Sequence, residues 1–280
     1  MGRAIPGHRR RFRSVGVYIM ASVLERIVAE TREAVEARKS AVPMAELCER
    51  AKARTQRRDF VASLMQPGVG LMAEVKRGSP SKGLFAPDLS PADLACTYRE
   101  IGAVAVSVLT SPAFFATDQD LCEAAEALAD SGVPLLRKEF HVDPYQVAEA
   151  AALGADAYLL IAKTLDAGEL TSLSRAGEEF GLTAFVEVTD EAETEMALAA
   201  GAAAIGINNR DLHTFEEDLG TTERLRDLIP PSVPVVAASG VRTREDMKRM
   251  EACGVNAVLV GEALSSARDP YAKARELLGR

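Results

Sequence analysis

The sequence has no tryptophan, few aromatic residues of any kind (5%) and no excess of positive charge. With a formal net charge of −8, a nucleic-acid surface would need a local basic patch, and the only dense one is HRRRFR at 8–13. No nucleic-acid partner is expected. Cys48, Cys96, Cys122 and Cys253 stand far apart without a C-x-x-C pair, and His8, His141 and His213 form neither H-x-x-x-H nor H-E-x-x-H. These absences remove the usual zinc and redox spacings. The expectation is no metal site and reduced thiols in a cytoplasmic protein, with any chemistry falling to lysine and glutamate. The opening MGRAIPGHRRRFRSVGVYIMASVLERIV joins a basic stretch to an apolar one. The apolar part is too short for a membrane span and runs into Glu25-Arg26 instead of a small-residue cleavage site. Neither secretion nor a membrane role is expected. Residues 1–20 read as a disordered or mis-assigned extension, with Met20 as the working start.

What remains is ordinary for a globular chain, 48% hydrophobic and 26% charged, and 280 residues suffice to bury a sizeable core. From residue 70 onward, apolar runs alternate with amphipathic stretches: LMAEVK, AVAVSVL, VPLLR, DAYLLI, TAFVEV, AAIGIN, VPVVAA and NAVLV. Helical patterns over 91–101, 118–130, 144–153, 166–180, 190–200 and 242–252 fill the gaps, most beginning at Asp, Ser or Thr. Gly102, Gly132, Gly154, Gly181, Gly201 and Gly254 stand where a helix C-terminus calls for a left-handed residue, and Pro230-Pro231 stops the helix before the seventh run. Eight βα units predict an α/β fold, a (β/α)₈ TIM barrel. A doubly wound sheet would usually have fewer strands and a glycine-rich first turn, and no G-x-G-x-x-G occurs. Residues 21–56 predict one or two helices that precede the barrel and cover one end. Residues 21–280 are thus read as a single barrel unit with an N-terminal helical extension.

In such a barrel the site lies at the C-terminal ends of the strands, and period-two alternation sorts the side chains by face. Met72, Glu74 and Lys76 then share the inward face of the first strand, while Leu71, Ala73 and Val75 face the helices. The same sorting groups Lys138 with Phe140, Leu159 with Ile161, Phe185 with Glu187, and Asn208 with Arg210. An inward charge is costly unless paired or used, and a buried ion-pair network that only fixes the barrel would explain any single one. Four charged strand ends converging on one mouth point to a site. The loops after strands seven and eight carry Ser239-Gly240 and Gly261-Glu262, and this is where barrels of this kind often hold a phosphate.

The motifs AEVKRGSPSKG (73–83), SVLTSPAFF (107–115), LLRKEFHVDPYQV (135–147), GADAYLLI (154–161), FVEV (185–188), GINNRDL (206–212) and VLVGEAL (258–264) resemble, in order, the strand-end motifs of the indole-3-glycerol-phosphate synthase family. The resemblance covers essentially all of 21–280. It implies closure of the indole ring in tryptophan biosynthesis: a carbon–carbon lyase that converts 1-(2-carboxyphenylamino)-1-deoxyribulose 5-phosphate to indole-3-glycerol phosphate, CO₂ and water, without metal or organic cofactor. By the same resemblance Lys138 is the general acid and Glu187 the general base. Glu74 and Lys76 orient and polarise the substrate, Lys76 also serving as an acid in dehydration. Asn208, Arg210 and Ser239 contact substrate, and Phe140, Leu159 and Leu212 wall the anthranilate ring. Ser79, Gly240, Gly261 and Glu262, the last through its backbone N–H, surround the phosphate. Whether other enzymes of the pathway bind is left open.

Some positions depart from the family pattern. Gly78, Ala116 and Glu139 stand where Ala, Gly and Asp are usual, all small changes. The larger departure is Ala238 in VAASG, where the family reads VAESG. One expectation is an active enzyme with a modified mouth whose rate rises in Ala238→Glu. A second reading is a catalytically impaired barrel that binds the phosphorylated ligand or a protein partner. A third is another phosphate-substrate barrel, such as a sugar-phosphate isomerase, which would release no CO₂.

Overall fold

The computed structural model describes residues 22–280 apart from 55, 212 and 213. The extension expected at 1–20 and Leu212, expected from the resemblance to wall the anthranilate ring, therefore lie outside the described residues. The apolar runs form β1 (Gly70–Val75), β2 (Ala105–Leu109), β3 (Leu135–Lys138), β4 (Ala157–Ile161), β5 (Thr183–Val188), β6 (Ala204–Asn208), β7 (Val235–Ala238) and β8 (Ala257–Val260). Each pairs in parallel with the next, and β8 closes on β1 through Gly70↔Ala257 to Ala73↔Val260. Every strand begins and ends within two residues of its apolar run. Connected by helices, they form the predicted TIM barrel.

The helix starts follow their local chemistry. Ser90, Thr117, Asp143, Asp166, Asp190 and Thr243 are the N-caps of Pro91–Glu100, Asp118–Ala127, Pro144–Ala152, Ala167–Ala176, Glu191–Ala199 and Arg244–Ala252. A side-chain oxygen at such a position satisfies an amide the first turn leaves orphaned. Of the six glycines read as left-handed helix ends, all but Gly132 have positive φ. Asp118–Ala127 finishes earlier than the pattern suggests, and the amide of Ser131 returns to the Leu128 carbonyl to close the turn without a left-handed glycine. Before β7, Gly220–Leu225 ends in a single 3₁₀ turn, and Ile229 is extended ahead of Pro230, as a pre-proline residue prefers.

Alternation divides the apolar residues into two layers. Leu71, Ala73 and Val75 pack outward among the helices, whereas Met72, Leu136, Leu159, Phe185, Val236 and Leu259 fill the barrel interior. Two helices fall within 21–56 as expected, α1 (Val23–Ala41) and α2 (Met44–Ala53). Leu24 and Ile27 of α1 join the interior cluster beside Phe140 at the mouth. Further along α1, Arg38 forms a fork to buried Glu149 at 2.7 and 3.1 Å. A third helix, α3 (Phe60–Leu64), seals the opposite end just before β1. Phe60 is fully buried and meets Phe185 edge-on at 5.8 Å, a geometry worth about 0.5–1.5 kcal/mol beyond the buried area. No described helix is long and apolar enough to cross a membrane.

Candidate active site

The end of β1 starts the site. Glu74 points inward and is 2% exposed, and its carbonyl accepts hydroxyl hydrogen bonds from Tyr98 at 3.1 Å and Ser265 at 3.0 Å, which fix the strand where it opens. Its carboxylate meets Lys138 Nζ at 3.3 Å through Oε2 and Lys76 Nζ at 3.8 Å through Oε1. Arg137 shows what one step along the strand does. It faces outward, fully buried, in a helix-layer network with Asp118 at 2.7 Å and Glu149 at 3.4 Å. That network fixes the barrel, while the neighbouring Lys138 faces the cavity.

These charges set one another. Burial opposes ionisation of Glu74, but Lys138, Lys76 and Arg210 outweigh it and hold its pKa below the ordinary carboxylate value. Burial likewise opposes the charge on Lys138, and the carboxylates of Glu74 and Glu187 reverse this and raise its pKa. For Lys76 burial prevails, joined by repulsion from Lys138 and Arg210, so its pKa is lowered despite Glu74. The mouth thus holds two lysines of opposite tendency around one carboxylate. Lys138 keeps its proton firmly; Lys76 gives its proton up more readily.

Across the barrel, Glu187 accepts a hydrogen bond from Asn208 Nδ2 at 2.9 Å, and the Arg210 amide donates to Asn208 Oδ1 at 3.0 Å. Arg210 turns its guanidinium to Glu217, with Nε at 3.1 Å and Nη2 at 2.5 Å from Oε1. Phe140, Phe114, Leu159 and Ile161 supply an apolar wall, with the Phe114 and Phe140 rings 6.5 Å apart and Lys76 Nζ 5.5 Å from the Phe114 centroid. Cations over an aromatic face are favoured.

The strand-end loops close the rim. Ser239 and Gly240 are consecutive left-handed residues, φ 65° and 81°, a conformation that costs Gly240 nothing sterically but is uncommon for a serine. Asn209 Nδ2 pins this turn through the Ala238 and Ser239 carbonyls, both at 3.1 Å. Gly261 has a second reason to be glycine beyond the loop position read from sequence. A Cβ there would lie 2.3 Å from Glu74 Oε1 and 3.0 Å from its Cδ. Ser79 is buried with its Oγ accepting from the Lys82 amide, and Lys82 pairs with Glu262 above it.

Glu74, Lys76, Ser79, Lys138, Phe140, Leu159, Glu187, Asn208, Arg210, Ser239, Gly240, Gly261 and Glu262 all line a single cavity of 380 Å³. Ala238 lines it too, in register between Asn208 and Leu259, so one strand end of the mouth carries only a methyl group. Sequence reading missed Glu217, Arg242 and Phe114, and the α1 residues Val23, Leu24 and Ile27. The first two sit on loops, beyond the reach of alternation. The α1 residues had a visible amphipathic pattern, but nothing in it specifies which end of the barrel the helix covers. Among the described residues, no group of three or more His, Cys, Asp or Glu side chains is placed to hold a metal ion.

Solved structures with this architecture include 3-hexulose-6-phosphate synthase from Salmonella typhimurium, at TM-score 0.60, 16% identity, and 75% and 96% coverage of this chain and that one. A mutant tryptophan synthase α-subunit from Pyrococcus furiosus aligns at TM-score 0.59 and 18% identity over 76% and 99%. At such identities the likeness is one of fold. Sequence similarity is far closer to proteins named indole-3-glycerol phosphate synthase. The one from Dehalococcoides mccartyi strain 195 is 47% identical over 91% of this chain and 100% of its own length. Those from Roseiflexus sp. and Streptomyces coelicolor, the latter named indole-3-glycerol phosphate synthase 2, are 45% and 44% identical, covering 93% of this chain and 99% and 100% of theirs. The family model described as indole-3-glycerol phosphate synthase matches residues 24–277, and the chain belongs to that family.

Proposed function

We propose that this chain is a working indole-3-glycerol-phosphate synthase, a decarboxylating lyase of tryptophan biosynthesis. The observation that carries the reading is the Lys138–Glu74–Lys76 cluster facing the Glu187–Asn208 pair across one cavity. Ring closure joins the carboxyl-bearing aromatic carbon to the ribulose carbonyl carbon. The carbonyl oxygen takes a proton as that bond forms, and we assign the donor as Lys138, whose raised pKa keeps it protonated at neutral pH. Loss of CO₂ returns the electron pair to the ring. The new hydroxyl then leaves as water with a proton from an acid, while a base removes the proton whose loss forms the indole double bond.

Lys76, with its lowered pKa, suits the second acid, and Glu187, held by Asn208, suits the base. Glu74 holds both ammonium groups in place, favours the charge on Lys138 and partly offsets the burial of Lys76. The apolar wall of Phe140 and Leu159 fits a flat anthranilate ring, and Leu212 is assigned to the same wall. Asn208, Arg210 and Ser239 are assigned to polar groups of the substrate. Ser79, Ser239-Gly240 and Gly261-Glu262 form the rim on which we place the phosphate, where glycine leaves backbone N–H groups approachable. The functional unit is taken as residues 21–280, acting in the cytoplasm without a nucleic-acid or membrane partner.

The test is to supply the aminodeoxyribulose phosphate to purified protein and follow indole fluorescence together with CO₂. Equimolar appearance of both is expected. Ligand binding without either product would instead favour a binding barrel, the reading that Ala238 supports. Turnover with the carboxyl group retained would indicate a sugar-phosphate isomerase.

A further inference from the structure

Of the five glutamates that line the cavity, Glu74, Glu187 and Glu217 hold its lining lysines, Arg210 or the side-chain amide of Asn208. The first two have roles above, and Glu217 has none. It comes from the loop after β6, not from a strand end, yet its side chain is only 13% exposed. Its Oε1 takes Nε and Nη2 of Arg210, and its Oε2 takes Nη2 of Arg242 at 2.5 Å. One carboxylate thus fixes the spacing of two guanidinium groups on the rim beside Ser239-Gly240.

The loop that carries it is held at both ends. Arg210 and Glu217 are paired as an antiparallel bridge, the Asp218 amide donates to Asn209 O at 2.8 Å, and Asn209 ties the same segment to the end of β7. Glu217 Cβ also lies 3.7 Å from where a side chain on Gly240 would begin. Position 238 lies next to Asn208 in the sheet, offers only a methyl group and gives Arg210 no counter-charge. Among the described residues, Glu217 is the carboxylate within ion-pair distance of Arg210.

We propose that Glu217 is a positioning residue for the reaction, holding Arg210 in its substrate-facing place and supplying from a loop the negative charge that β7 lacks at Ala238. The inference rests on the proposed synthase activity. It changes the expectation for Ala238→Glu: among the described residues Arg210 and Arg242 are already paired with Glu217, so a second carboxylate there competes with the first and no gain in rate follows.

The experiment is a cycle of wild type, Glu217→Gln, Ala238→Glu and the double variant, each measured for kcat, KM and thermal midpoint with the aminodeoxyribulose phosphate. Glu217→Gln is expected to reduce kcat/KM about tenfold or more, the size of a lost charged hydrogen bond. Most of the loss should appear in KM, because Arg210 acts here on binding and not on proton transfer. Ala238→Glu should bring no gain by itself but restore most of the loss in the Glu217→Gln background, an epistasis that a merely structural role would not produce. Unchanged kinetics in Glu217→Gln, a gain from Ala238→Glu alone, or losses that simply multiply would each overturn the role of Glu217. A wild type that forms no product would instead overturn the activity on which the role depends.

Discussion

Gly261→Ala is a small change whose consequence can be worked from distances. The added Cβ would sit 2.3 Å from Glu74 Oε1, 3.0 Å from Cδ and 3.2 Å from Glu74 Cβ. Ordinary contact begins near 3.4 Å, so the carboxylate must retreat by about 1 Å. An exposed glutamate would swing aside at little cost. Glu74 is 2% exposed and bound between Lys138 and Lys76, so its retreat carries both lysine contacts with it. A misplacement of about 1 Å in catalytic groups can cost on the order of 100-fold in rate. Steady-state assays by indole fluorescence should therefore show kcat/KM down about 100-fold, with the far-ultraviolet dichroism and the cooperative unfolding transition retained. A variant folded and within a few-fold of wild type would refute the claim that Glu74 is held where Gly261 leaves room for it.

Two pH dependences follow from buried bases. The lowered pKa of Lys76, set by burial and then by repulsion from Lys138 and Arg210 against Glu74, means its proton is lost below the ordinary 10.5; kcat should fall on an alkaline limb under that value, and Lys76→Arg should remove that limb. His141 is buried with Nδ1 against the Glu139 carbonyl at 3.2 Å and its ring edge-on to Tyr158, and burial pushes its pKa from 6.5 down to about 3. The folded state then refuses a proton that the unfolded chain accepts. Its stabilising contribution is full above pH 6.5 and declines as pH falls toward 3, by about 1.4 kcal/mol per unit. Urea unfolding between pH 7 and 5 should show this slope in wild type and a flatter one in His141→Phe; parallel slopes would refute it.

The barrel was legible because each strand obeys two local constraints at once. β1 alternates Met72 and Glu74 inward with Leu71, Ala73 and Val75 outward, and a one-residue slip would bury the wrong set. Glu74, Lys138, Glu187 and Asn208 stand on strand ends, so their facing could be read from that period. Gly132 departs from the pattern because the turn before β3 closes through Ser131, so the glycine there need not be left-handed. Glu217 and Arg242 were not legible for a different reason. Glu217 is placed by a loop folding back on Asn209 and by a bridge to Arg210, and Arg242 meets it only through its side chain, contacts between residues with no shared periodicity. Gly261 was read as part of a phosphate loop, but its contact with Glu74 required two strands to be brought together.

Lys138, raised in pKa by Glu74 and Glu187 against its burial, is the proposed donor of the proton taken up at ring closure. That role is tested most directly by single-turnover fluorescence of wild type and Lys138→Ala with saturating enzyme, which removes substrate affinity from the comparison. Wild type should form indole-3-glycerol phosphate, and the variant should be slower by about 100- to 10,000-fold, the range for a lost general acid. A Lys138→Ala variant that turns over at the wild-type rate would rule out Lys138 as that donor.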